Sequence, residues 1–377
     1  MRQRYKKGRL NLRLLFYVEH FKMAGSGMEN QAVRLCKALA DRGHEVHVLS
    51  DDAVAVSGVT VHHGIENSVS TCDAIVPHLT IDWGYILPAD VHRLGGGTHS
   101  QFIEYNLSAY TGLKKVLKRL SYLKVKHQRK IAKERALLRN PDARILANSA
   151  QTAKMAIADG ADEARITVRH QSVDTVQFSP SRNKTFRGDA RDALGIAEHE
   201  TAFIFVAHNL KLKNLRLLRQ VFEVLSKRLS LKLIVAGKRR PKFTAPWLVY
   251  AGTTDRMETF YAAADVMLHP TFFDSCANVV IEAMACGLPV VVSDTAGINE
   301  ILSHGSDAIV LPVRGDASKV RSQWSDAIVS LVEDEALRER MGTAARATAE
   351  KHDYDSFLDW FDKYLVEVRQ AKEERER

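Results

Sequence analysis

Leu268–Glu300 reads LHPTFFDSCANVVIEAMACGLPVVVSDTAGINE, and the fold is decided within it. A short apolar run ends at His269, and a small-residue turn carries Asp274. A helical stretch carries Glu282, and a Gly287-Leu288-Pro289 turn leads into Val290-Val291-Val292. Strand, loop, helix and strand in that order form the unit of a parallel sheet covered by helices on both faces. The helix opens directly behind an acidic loop, where its unpaired N–H groups and positive dipole end suit an anion. Asp274 lies just before the helix and Glu282 about two turns inside it. The two carboxylates therefore address different parts of one elongated ligand.

The same alternation extends outward. In the second half, Phe203–Ala207, Leu231–Ala236, Leu248–Gly252, Val266–His269 and Ile309–Pro312 read as strands. Leu215–Leu229 and Met257–Ala264 read as helices. In the first half a buried strand, Leu12–Val18, is followed by a loop and a helical pattern from Glu29 to Arg42, and a second strand begins after Gly43. Ala74–Pro77, Arg144–Ser149 and Ile166–Val168 read as later strands. The expected class is α/β: two Rossmann-like domains facing a cleft, with the ligand at the carboxyl ends of the strands. The expected divisions are 1–172, 173–352 and 353–377, with a hinge near Ser172–Pro180. The last helix, Tyr354–Arg369, carries Phe357, Trp360, Phe361, Tyr364 and Leu365 on one stripe, and the charged tail Lys372–Arg377 is expected to fray.

Composition narrows the classes. A chain of 377 residues exceeds one typical core and suits two domains. No uncharged apolar run reaches the roughly 18 residues of a membrane span. The start, MRQRYKKGRLNLR, is basic but lacks the apolar stretch of a secretion signal. Cys36, Cys72, Cys276 and Cys286 form no CxxC pair and have no histidine partners at metal spacing, which points to a reducing, cytoplasmic compartment without structural zinc. The net charge of +9 is uneven, being concentrated in residues 2–13 and 114–133. In the second cluster Leu113, Val116, Leu117, Leu120 and Leu123 recur at helical spacing. Such a basic amphipathic helix reads either as a contact to an anionic inner-leaflet membrane or as a solvated helix packed on its own domain. No nucleic-acid recognition motif accompanies the charge, so nucleic acid is not an expected partner.

The opening segment resembles the donor-binding signature of retaining nucleotide-sugar glycosyltransferases of family 4, which adopt the GT-B fold. Glu282-Ala283-Met284-Ala285-Cys286-Gly287-Leu288-Pro289-Val290 and Gly297-Ile298-Asn299-Glu300 fit without a gap, and Asp274 stands where that family has Glu. The resemblance implies that Glu282 accepts from the ribose hydroxyls and Asp274 from the transferred sugar, with Cys276, Ala277 and Asn278 also at the donor. It implies a last helix that crosses back to the first domain. Phe205–Asn214 is similar to the family's Gly-Arg-Leu-x3-Lys-Gly segment: Lys213 matches the Lys, His208 replaces Arg, Ala207 and Asn214 replace Gly, and Lys211 offers a substitute cation. Gly25-Ser26-Gly27-Met28-Glu29 is similar to a Gly-Gly-x-Glu loop, with Gly27 as a backbone contact. Gly95-Gly96-Gly97-Thr98-His99 resembles a Gly-Asp-Gly-x-His element of lipopolysaccharide-core glycosyltransferases, with Gly96 in place of Asp and His99 as an active-site residue.

The reading implied is a retaining, metal-independent hexosyl- or heptosyl-type glycosyltransferase with Asp274, Lys213 and His99 at the chemistry. The donor is a UDP-, GDP- or ADP-sugar, no separate cofactor is needed, and the acceptor is a glycan or glycolipid of the cell envelope or lipopolysaccharide core. No Asp-x-Asp stands where a metal–diphosphate site needs one. Two rivals remain: a GT-B sugar-nucleotide epimerase, whose elimination acids are not identifiable, and a non-catalytic sugar-nucleotide-binding membrane scaffold, to which the replaced positions His208, Ala207, Gly96 and Asp274 correspond. A nicotinamide dehydrogenase is disfavoured because no GxGxxG follows the first strand.

Overall fold

The computed structural model describes residues 11–23 and 27–377. The basic positions Arg2, Arg4, Lys6, Lys7 and Arg9, and Gly25-Ser26 of the first glycine loop, lie outside them. The chain forms two compact units. One takes the chain up to His99 with Val125–Arg169 and Ser356–Arg377, and the other takes Ser100–Lys124 and His170–Asp355. The change at Arg169 falls beside the expected hinge, whereas Ser100–Lys124 groups with the second unit rather than the first.

In the first unit seven strands form one sheet: β1 (Arg13–Tyr17), β2 (Glu45–Ser50), β3 (Val59–His63), β4 (Leu79–Asp82), β5 (Val91–Leu94), β6 (Arg144–Ala147) and β7 (Ile166–Val168). The order is β3-β2-β1-β4-β5-β6-β7 with every pair parallel. Leu14, Leu15 and Phe16 are all fully buried, as consecutive residues of a strand covered on both faces must be. Ala74–Pro77 is not a strand. It ends the helix Ser68–Ile75, which Val76 closes at φ 49° while donating to Cys72. A run of three apolar residues has no readable period, and Pro77 has no N–H to give a ladder. The true strand starts two residues later.

The C-terminal helix spans Tyr354–Glu376 and from Ser356 onward belongs to the first unit, so the chain does return there. Phe361 and Leu365 are fully buried. Arg42 Nη1 donates to Asp359 at 2.7 Å and to Asp362 at 2.9 Å, and Arg169 lies 5.0 Å from the Trp360 ring centre. The tail is helical rather than frayed, because Lys372 reaches the Asp90 carboxylate at 3.1 Å.

The expected single basic helix is two helices, Gly112–Ser121 and Val125–Arg139. They part where Tyr122 turns inward and its hydroxyl meets Asn106 Oδ1 at 3.1 Å. In the first of them Leu113, Val116, Leu117 and Leu120 are 54–73% exposed, so its apolar face is not packed on its own domain.

The second unit holds β8 (Thr201–Val206), β9 (Leu231–Ala236), β10 (Leu248–Gly252), β11 (Val266–His269), β12 (Val290–Ser293) and β13 (Ala308–Leu311). Their parallel order is β10-β9-β8-β11-β12-β13. Ile204, Met267, Val290 and Val292 enter the core on one face, and Phe203, Phe205, Leu268 and Val291 enter the core on the other. Strand order reverses between β8 and β11. Their carboxyl ends, with the loops that follow, flank the crevice where such sheets hold ligands.

Candidate active site

Two loops meet at that switch point. The loop after β8 carries His208, Lys211 and Lys213 and ends at Asn214, whose φ of 61° is one that Asn tolerates better than most non-glycine residues. This is the position matched above to a glycine. The loop after β11 carries Asp274. Its Oδ1 accepts from Ala277 N at 2.8 Å and Cys276 N at 3.3 Å. Its Oδ2 accepts from His269 Nε2 at 3.1 Å and pairs with the Lys213 ammonium. Burial works to raise the Asp274 pKa, but the Lys213 charge and the His269 bond outweigh it and hold the carboxyl well below the usual range.

The far end of the same signature folds back onto this loop. Gly297 N donates to Asp274 O at 2.8 Å, and the Ser293 and Thr295 hydroxyls donate to Thr271 O at 2.7 and 2.6 Å. Residues more than twenty positions apart in sequence thus hold one loop in place. The helix Asn278–Ala285 begins after Ala277, which sits at φ 55° in the left-handed region. Glu282, on that helix, lies 2.9 Å through Oε2 from the hydroxyl of the fully buried Tyr261.

Cations gather on the other side of the switch point. Partial burial, then the neighbouring Lys238 and Lys213 charges, lower the pKa of His208, so its ring is neutral at pH 7 beside the two ammonium groups. Lys211 is placed differently: its Nζ lies 3.1 Å from the Tyr110 ring centre, with Lys114 and Lys118 close enough, after burial, to lower its pKa. Tyr110 belongs to Ser100–Lys124, which also reaches the carboxylate loop. Tyr105 stacks on Phe273 at 4.7 Å, and Phe102 meets it edge-on at 5.9 Å. Phe273 is the residue before Asp274.

The remaining predicted residues, Gly27 and His99, belong to the first unit. Gly27 begins the helix Gly27–Asp41. Gly95 lies against the same helix start, where an added Cβ would come 2.9 Å from Met28 Sδ, and Asn148 Nδ2 donates to its carbonyl at 2.8 Å. A side chain at Gly95 would have to displace the Met28 thioether. His99 N donates to Glu134 Oε2 at 2.6 Å, and its Nε2 lies 2.9 Å from His127 Nδ1. Burial, then Lys130 and His127, push the His99 pKa down to about 4, so the ring is neutral at pH 7.

Sequence reasoning missed His269, Tyr261 and the Phe102–Tyr105–Phe273 stack. His269 leaves one signal, a polar residue closing an otherwise apolar strand. The stack leaves aromatic residues three apart beside a basic run.

Residues 200–334, running from β8 into the helix Ala317–Glu333, match the glycosyl transferases group 1 family. This chain carries a glycosyl transferases group 1 domain. Over 226 aligned residues the chain is 29% identical to the D-inositol 3-phosphate glycosyltransferase of Pseudarthrobacter chlorophenolicus, covering 55% of this chain and 52% of that one. The chain spans about half the length of the curated relatives it matches. The crystal structure of WaaG, a glycosyltransferase involved in lipopolysaccharide biosynthesis, superposes with a TM-score of 0.76 at 16% identity, over 93% of this chain and 99% of that one. Anabaena HepE in complex with UDP and glucose superposes with a TM-score of 0.65 at 17% identity, over 97% and 99%. The fold is GT-B. His208, Lys211, Lys213, Lys238, Tyr261, His269, Phe273, Asp274 and Glu282 lie within the group 1 domain, whereas Phe102, Tyr105 and Tyr110 lie outside it.

Proposed function

We propose that this chain transfers a sugar, hexosyl or heptosyl in type, from a nucleotide-diphosphate sugar to a hydroxyl of a glycan or glycolipid acceptor, with retention at the anomeric carbon. The observation that carries this reading is the Lys213–Asp274–His269 group at the strand switch point, with Glu282 on the helix behind it. Negative charge builds on the diphosphate as it leaves. In this reading Lys213, Lys238 and the N-terminus of the helix Asn278–Ala285 meet it, and prearranged charge counts most in the transition state. With those cations present the diphosphate needs no metal partner. Asp274 keeps both backbone bonds on Oδ1 when Lys213 moves to the phosphates, which frees Oδ2 for a sugar hydroxyl. Glu282, steadied by Tyr261, takes the ribose.

The HepE complex makes UDP-glucose the first donor to try, and WaaG makes a lipopolysaccharide-core or other envelope acceptor the first acceptor class. A panel of UDP-, GDP- and ADP-sugars incubated with envelope glycolipid extract, with product read by mass spectrometry, should show transfer that survives a chelator. Donor binding without turnover would support a scaffold instead, and donor isomerisation without acceptor an epimerase. Glu282→Gln should weaken nucleotide affinity about 5- to 150-fold, equivalent to about 1–3 kcal/mol for one charge-assisted hydrogen bond. Unchanged affinity by calorimetry would remove Glu282 from the ribose.

The acceptor side is read from the helix Gly112–Ser121, which sets the exposed row Leu113, Val116, Leu117 and Leu120 beside Lys114, Lys115, Lys118 and Arg119. Peripheral contact with the anionic inner leaflet, from the cytoplasmic side, fits both halves of that face. The doubly substituted Leu117→Ser, Leu120→Ser chain should partition less by about 100-fold or more into vesicles containing phosphatidylglycerol, given roughly 1.5 kcal/mol or more per buried leucine. Equal binding of the parent chain to neutral and anionic vesicles would end this part of the reading.

A further inference from the structure

His269 is fully buried at the carboxyl end of β11, where its neighbours Val266, Met267 and Leu268 are apolar and equally buried. Its Nε2 lies 3.1 Å from Asp274 Oδ2. Its Nδ1 is also buried, and among the described residues nothing hydrogen-bonds it. A position selected for packing alone would hold Leu or Val, because an unsatisfied polar atom in a core costs stability.

We infer that His269 is a positioning residue for the donor sugar, a neutral imidazole that donates from Nε2 and fixes the Asp274 carboxylate for its hydroxyl contact. The inference rests on the donor-site reading given above.

The tautomer follows from the surroundings. Protonated at Nε2, the ring donates to Asp274 and leaves only a lone pair unmet at Nδ1. Protonated at Nδ1, it would bury an unmet N–H and point a lone pair at a carboxylate. The imidazolium would bury that same N–H with a charge, near the Lys213 ammonium. Burial, then Lys213, accordingly lower the His269 pKa, against the opposing pull of Asp274. The ring matters because Oδ2 has two partners of different kinds. Lys213 reaches Asp274 from a long side chain on a loop and, in the donor reading, is wanted by the diphosphate, whereas His269 is held by the strand. When Lys213 leaves, His269 is the side-chain donor that stays and keeps Oδ2 from swinging. Asp274 is one methylene shorter than the Glu of the resemblance, so a fixed carboxylate angle is what sets how far it reaches.

Three variants separate this from a packing role. His269→Gln carries an amide N–H at nearly the reach of Nε2, His269→Asn carries the same amide one methylene short, and His269→Leu carries none. Expected are kcat within about threefold of parent for Gln, a loss of about tenfold or more for Asn and Leu, and unchanged calorimetric affinity for UDP in all three. His269→Leu should also melt no lower than parent, since it removes the unmet Nδ1. A less active chain that is at least as stable is not what a packing residue yields. If Leu matches parent activity, or if Gln, Asn and Leu lose activity and Tm together, the positioning role is overturned. In the full chain labelled with 15N-histidine, the ring should show a single neutral form protonated at Nε2 between pH 6 and 8. A proton on Nδ1, or an imidazolium, overturns the inference whatever the donor proves to be. If the parent chain transfers no sugar while the spectrum shows the expected form, the donor reading fails and the His269–Asp274 geometry stands.

Discussion

Lys213→Ala lowers kcat by about two to three orders of magnitude, the loss seen when a prearranged group is removed from the place where charge develops. Lys213 sits at the start of the group 1 domain, between Asp274 and the His208–Lys238 side of the loop. In the free protein its charge faces Asp274, and in the donor complex proposed above it would move to the diphosphate. Little of the loss should come from misfolding. The Asp274 carboxylate keeps Ala277 N, Cys276 N and His269 after the substitution, so it stays ionised and the loop stays bound. The measurement is steady-state transfer with Tm alongside. Affinity for the free nucleoside should hardly change, because Glu282 rather than Lys213 is proposed to hold the ribose. Lys213→Arg should recover part of the rate, since it restores charge with a different donor geometry. A rate within threefold of parent for Lys213→Ala would move the phosphate site to Lys238 and the helix N-terminus.

Gly237→Ala destabilises the second unit by about 3 kcal/mol or more, a size expected when a contact cannot relax by side-chain rotation. An added Cβ would stand 2.0 Å from the Ala207 carbonyl oxygen, and φ at this residue is 144°. The obstacle is backbone, and that backbone belongs to two strands tied together: Ala207 N donates to Ala236 O at 2.8 Å, and Gly237 N to Gly252 O at 2.7 Å. Relief of the clash has to part β8 from β9, and the loop that opens at Ala207 carries His208 and Lys213. Activity should therefore fall with stability, and denaturant midpoints should show the first effect directly. Gly315→Ala is the control: φ there is 108°, but among the described residues nothing lies within 4 Å of the added Cβ. It should cost about 1–2 kcal/mol of backbone strain and leave turnover intact. Equal costs for the two substitutions would show that the close approach at Ala207 is not what matters.

The parts of this fold that were legible in sequence are those whose physics is local. Val290-Val291-Val292 reads as a strand buried on both faces because a parallel strand between two helical layers admits no polar alternation, and it is one. Leu231–Ala236 and Leu248–Gly252 have the expected ends because Gly237 and Gly252 close them. Asp274 and Glu282 were legible for a related reason: strand, turn and helix in fixed order place them at the carboxyl end of the sheet, whereas Lys213 was legible through the resemblance of Phe205–Asn214 to the family segment. The misreadings have equally local causes. Ala74–Pro77 is too short to show a period. The basic run 113–133 keeps its helical spacing through a break that only the Tyr122–Asn106 contact reveals.

Sequence alone thus determined the α/β class, the two Rossmann-like units and which loop holds the acids, since each follows from periodicity and turn chemistry within a few dozen residues. Tertiary structure decided what those acids touch. Asp274 meets Lys213, 61 positions away, only because strand order reverses between β8 and β11. Phe273 meets Tyr105 because Ser100–Lys124 joins the second unit, and no spacing along the chain encodes that. His269 could be seen in the sequence as a polar strand end. Its buried Nδ1, and with it the reason to give the ring a role, exists only once the core has closed around it.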